Sequence, residues 1–200
     1  MRSRLFNPEG FLWKPLGWLG DLVLFSLLWT VCSLPVLTLG PATAALYDAV
    51  SHTFRKQELD GFARFLRTFR AELKTGVAAT ALWGVPLAGL IWAYSAYVRS
   101  GHGSLTAAAA FLVILGLAAG LTAWVFPLLS RFAFDVKALS LTALRLGLGR
   151  LPVTAILAVT AYGALWLCSR LLYFPVMVVP ALLMLLWSFP LEREFRRYGG

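Results

Sequence analysis

The chain has 200 residues, 60% hydrophobic and 14% charged, with a formal net charge of +9. Soluble domains run to roughly 45–50% apolar and 25% charged residues, so a water-soluble globular protein is excluded and an integral membrane protein is expected. The length suits one membrane domain, residues 1–200, with no appended soluble domain. The basic residues flank apolar blocks, which points to topology and anionic headgroups rather than nucleic acid, for which no recognition module is present.

Five stretches lack Asp, Glu, Lys and Arg: residues 22–47, 75–98, 103–130, 151–169 and 171–191. A helix needs about 20 apolar residues to cross the hydrocarbon core, and backbone groups in lipid must be satisfied within their own segment. The pattern predicts an all-α, polytopic transmembrane helical bundle of about five spans. The alternating segments of a membrane barrel are missing.

Residues 1–60 form an N-terminal element. Arg2 and Arg4 are separated from the first apolar block by Pro8, Glu9 and Lys14, so that block is expected to be retained rather than cleaved. Pro35, Gly40 and Pro41 are candidate structural breaks. The block either crosses once, or enters and returns as two short limbs. Asp21 and Asp48 bracket it; an acid within lipid would be a proton or cation site, but at block edges both are expected as interfacial carboxylates or helix caps. Cys32 and Cys168 lie in apolar sequence and are expected to be inert packing thiols.

Gly61–Lys74 is the clearest amphipathic element. Phe62, Phe65, Leu66, Phe69 and Leu73 follow helical spacing, with Arg64, Arg67, Arg70 and Lys74 between them. Such a helix either lies in the headgroup layer, apolar face down, or docks onto a partner. Lys and Arg concentrate in 48–74, 131–150 and the tail, whereas the remaining connections hold only Arg99 and Arg170. The positive-inside rule places the three basic segments in the cytoplasm. Candidate partner or lipid contacts there are Arg64, Arg67, Arg70, Arg145 and Arg150.

A repeat lies within the apolar sequence. Trp124-x-Phe126-Pro127-Leu128 is followed by Phe132, and Trp187-x-Phe189-Pro190-Leu191 by Phe195. Residues 61–132 and 135–195 therefore read as two parallel helical-hairpin units, each opened by a basic segment. Clustering of Trp, Phe and Pro at membrane interfaces offers the plainer explanation.

Residue types that carry chemistry are sparse. His52 and His102 fall on opposite sides of the expected topology and cannot share a metal, and no metalloprotease, nucleophile-elbow or phosphate-loop motif occurs. No enzyme, cofactor or metal site is expected. Ser33, Thr38, Thr43, Ser95, Thr122 and Thr160 are expected to serve packing and hydrogen bonding between helices. Gly116-x-x-x-Gly120 permits close helix approach, usually within one chain, and leaves a homo-oligomer open.

Several strings together resemble the YesL-like family of small bacterial membrane proteins. They are Leu5-Phe6-Asn7-Pro8-Glu9-Gly10, Gly20-Asp21, Ser33-Leu34-Pro35, Gly40-Pro41-Ala42-Thr43-Ala44-Ala45-Leu46-Tyr47, the basic helix Phe62–Lys74, and Phe126-Pro127-Leu128-Leu129-Ser130-Arg131-Phe132. The Gly-Pro-Ala-Thr-Ala-Ala-Leu-Tyr string is the most specific, and the later spans match mainly in pattern. The resemblance implies a multi-pass protein of the bacterial plasma membrane, of unknown function, associated with carbohydrate uptake. It carries over no catalytic or binding residues. The expectation is a non-enzymatic accessory component that contacts the lipid bilayer and a carbohydrate importer complex; the alternative is a small solute transporter or channel in its own right.

Overall fold

A computed structural model describes residues 13–56, 60–100, 104–132, 135–170 and 177–198. Residues 5–10, which open the family resemblance, and His102 lie outside these ranges, as does the side chain of Cys168. The described residues are helical, with no strand among them. In chain order the helices are α1 (Trp13–Cys32), α2 (Leu39–Ser51), α3 (Gly61–Ala71), α4 (Leu73–Ala79), α5 (Val85–Arg99), α6 (Leu105–Arg131), α7 (Val136–Gly149), α8 (Leu151–Arg170) and α9 (Val179–Tyr198).

The first apolar block is two helices joined by a short turn that includes a 3-10 segment, Val36–Thr38. Pro35 sits at this junction in an extended conformation. Gly40 and Pro41, by contrast, lie in the first turn of α2, where a missing proline N–H costs nothing. The limbs run antiparallel. Trp29 Nε1 donates to Thr43 Oγ1 at 3.2 Å near the turn, and the Trp18 and Phe54 rings meet at 6.0 Å at the far end. The block is therefore a helical hairpin rather than one continuous helix. Counting only uncharged residues makes it look too short, because the second helix runs on through Asp48.

Leu73–Arg99 forms one long apolar unit, containing a π-helical turn at Thr80–Gly84. Pro86 explains that turn: its ring would clash with the carbonyl four residues earlier, and a local widening relieves it. This unit and α6 are each 27 residues long and apolar enough to cross a membrane. At a rise of 1.5 Å per residue each spans about 40 Å, enough for the hydrocarbon core and both headgroup layers. A third candidate is the pair α7 and α8, bent by 101° at their junction. The protein is thus a helical membrane protein with two or three spans evident by length and composition.

Packing is concentrated at one end. The buried residues of α6 run from Gly120 to Leu129, those of α8 among the described side chains are Thr154 and Leu157, and α5 buries none. Beyond them Trp92, Val113, Val159 and Tyr162 are exposed, an apolar and aromatic surface suited to lipid. At the packed end α2 is the centre, touching α1, α3, α4, α6 and α9.

Candidate functional site

Small residues place α2 at the centre. Ala42, Ala44, Ala45 and Ala49 are fully buried, as are Leu46 and Tyr47, so neighbouring helices approach closely on every side. Its N-terminus crosses α4 at Gly76, where an added methyl would lie 2.7 Å from Pro41 Cδ. The Gly40 N–H, an orphan donor of the first helical turn, is taken by Thr80 Oγ1 at 3.0 Å. A second helix start is capped in the same way: the Ala181 N–H at the beginning of α9 donates to Ser26 Oγ of α1 at 3.2 Å. The Gly-Pro-Ala-Thr-Ala-Ala-Leu-Tyr string thus has a packing explanation in every residue from Gly40 to Tyr47 except the half-buried Thr43, which bonds Trp29.

One turn past that string the site becomes charged. Asp48 is buried within the bundle, inside the helical path rather than capping its end. Its Oδ2 accepts from Arg64 Nε at 2.9 Å and from Thr68 Oγ1 at 2.7 Å, both on α3. Its Oδ1 stands 3.1 Å from His52 Nδ1, one turn later on the same helical path. Burying a carboxylate is costly unless it is paired and hydrogen-bonded, and here both oxygens have partners.

Two more buried acids follow this pattern on α9. Glu192 pairs with Arg131 at the end of α6 and receives the Tyr47 hydroxyl at 3.5 Å. Glu194 lies 3.1 Å from Arg150, at the corner between α7 and α8. Three acids on the two inner helices α2 and α9 thus hold three arginines from α3, α6 and the α7–α8 corner. Beside them the rings of Phe132 and Phe195, the equivalent positions of the two sequence units, meet edge to face at 6.0 Å.

The candidate arginines therefore divide. Arg64 and Arg150 are engaged in ion pairs within the protein. Arg67, Arg70 and Arg145 are exposed, with no ion pair to a described residue. The apolar face of α3 is covered in part by protein: Phe65 is fully buried against the bundle, with Phe69 stacked on it at 6.3 Å, whereas Phe62 is half exposed. Sequence reading missed the Asp48–His52 pair, although their i, i+4 spacing puts both on one helix face. Glu192 and Glu194 carried no expectation from the sequence either.

Hydroxyls do join helices. Besides Trp29 and Thr43, Trp83 Nε1 donates to Ser140 Oγ at 3.1 Å, Trp124 Nε1 to Thr154 Oγ1 at 3.0 Å, and Trp187 Nε1 to Thr160 Oγ1 at 2.9 Å. The buried hydroxyls of Ser26, Thr80, Thr122, Thr154 and Ser188 all have hydrogen-bond partners in the protein. Ser33 Oγ and Thr53 Oγ1 have none among the described residues. No group of three or more His, Cys, Asp or Glu among the described residues is placed to hold a metal ion.

Residues 22–96, from α1 through most of α5, match the family model described as "Protein of unknown function, DUF624". This is the family to which the YesL-like proteins belong. The matched region spans 75 of the 200 residues. That region contains the whole α2–α3 site, Asp48, His52, Arg64 and Thr68 included, and most of the apolar unit that follows it. No curated protein and no solved structure matches the chain.

Proposed function

We propose that this DUF624 protein is a non-enzymatic, multi-pass protein of the plasma membrane that acts as an accessory to another membrane complex. A carbohydrate importer is the partner class implied by the YesL-like resemblance. In place of about five spans, the proposed topology has three helical hairpins, α1/α2, α4–α5/α6 and α8/α9, linked on the cytoplasmic side by α3 and α7. The positive-inside rule supports that orientation. Supporting the accessory role is the outward pair Arg67 and Arg70, one turn apart on a helix whose opposite face is locked into the core by Phe65 and Asp48. A rigid helix presenting unpaired guanidinium groups suits an acidic protein surface.

The rival reading, a transporter or channel, calls for polar groups free to line a path between the hairpins. The five buried hydroxyls named above are instead spent within the protein, which weighs against it, and of the buried hydroxyl oxygens only those of Ser33 and Thr53 are left without a partner among the described residues. In-membrane cross-linking of the tagged native protein, followed by mass spectrometry, tests the choice. Importer subunits recovered with the native chain, and lost with R67E/R70E, support the accessory role. Recovery of the protein alone sinks it and directs attention to solute flux in reconstituted vesicles.

A further inference from the structure

The second basic helix, α7, differs from α3 in what it leaves uncovered. Its inner face is packed through Leu139, Ala143, Leu146 and Gly147. On the opposite side Lys137, Leu141, Arg145 and Leu148 fall within about 80° of one another at 100° per residue. All four are exposed, and neither cation has an ion pair with a described residue. Cation and leucine alternate along this stripe, whereas the exposed cations of α3 have no leucine between them.

Orientation decides what covers the stripe. With α8 along the membrane normal, the 101° bend at the α7–α8 corner lays α7 nearly flat in the interface. Thr154 fixes this corner by donating to Gly147 O at 2.7 Å while accepting from Trp124 Nε1 at 3.0 Å. On α8, just past the corner, Leu151 and Ile156 are also exposed and apolar. A helix held flat at the end of a span, with leucines toward the acyl boundary and long cationic side chains beside them, meets phosphate at the headgroup level. We infer that the Lys137–Leu141–Arg145–Leu148 face of α7 is a binding surface for anionic phospholipid headgroups, separate from the α3 face.

The test uses the full-length protein in neutral detergent, titrated with short-chain phosphatidylglycerol while thermal unfolding is followed. Each cation near an anionic surface contributes about fivefold in affinity, so K137Q/R145Q is expected to raise the half-stabilising concentration about 25-fold. K137R/R145K, which keeps both charges, should match the native protein, and R67Q/R70Q should leave the midpoint unchanged. An unchanged midpoint in K137Q/R145Q overturns the assignment, as does equal stabilisation by phosphatidylcholine. Stabilisation by free glycerol phosphate at the same concentrations would make this a soluble-anion site and overturn it too. A midpoint that shifts in R67Q/R70Q instead would move the lipid site to α3.

Discussion

Arg64 Nε donates to Asp48 Oδ2 at 2.9 Å, tying the amphipathic helix α3 to the most buried helix of the bundle. The two partners are unequal: the Arg64 side chain is 27% exposed and that of Asp48 8%. Removing the arginine strands a carboxylate in the interior, whereas removing the acid leaves a guanidinium that can turn to solvent. R64A is therefore expected to cost about 3–5 kcal/mol and D48A distinctly less, with D48A/R64A more stable than R64A alone. Unfolding of the three variants in one detergent measures this; equal losses for both single variants would remove the asymmetry. Charge reversal at Arg64 is accordingly a fold-breaking change and a poor probe of docking.

Thr154 closes the corner between α7 and α8. Replacing it with Val keeps the shape but leaves Trp124 Nε1 buried without its acceptor, at a cost of about 1–3 kcal/mol. T160V removes the same kind of bond from Trp187 and is expected to cost less, because that pair is only partly buried. Thermal unfolding ranks the two, and a larger loss from T160V would contradict the assignment.

The amphipathic helix, the turn near Pro35 and the interhelical bonds of Thr43 and Thr160 were legible in the sequence, whereas Ser95 and Thr122 bond carbonyls of their own helices. The course of the charged end was not. Apolar blocks were bounded by the first charged residue, and that rule fails wherever a charge is neutralised inside the protein. Asp48 does not end α2, because Arg64, Thr68 and His52 cancel its desolvation. Glu192 and Glu194 likewise continue α9 inside the bundle, paired with arginines 61 and 44 residues earlier in the chain. No local pattern encodes such partners. Phe65 and Phe69 show a related limit: helical spacing reveals an apolar face but not whether lipid or protein covers it.

Glu72 lies between α3 and the first long span, and burial raises its carboxyl above the ordinary carboxylate value. A folded state with the higher value binds the proton more tightly than the unfolded chain. Its contribution to stability is present below the unfolded value and is lost as pH rises through the folded one. At neutral pH the charged Glu72 therefore opposes folding. E72Q is expected to unfold at a higher temperature than the native protein at pH 7, with the gap closing near pH 4. A gap of constant size across this range would show that charge burial is not its cause.

The Gly116-x-x-x-Gly120 pair splits into one packed glycine and one open one. A methyl at Gly120 would lie 2.6 Å from Thr154 Cγ2 and 2.8 Å from the Thr154 carbonyl oxygen, the latter a backbone atom that cannot swing aside. At Gly116 nothing lies within 4 Å. G120A should cost about 1–3 kcal/mol by overpacking the α6–α8 contact, whereas G116A should gain about 0.5–1 kcal/mol from helix propensity. Opposite signs in thermal unfolding of the two variants are the expected result. A destabilising G116A with unchanged G120A would mean that α6 packs through Gly116, as it would if that face met a second copy of the chain. Size-exclusion of G116A beside the native protein then decides between those contacts, since only an intermolecular one changes the particle size.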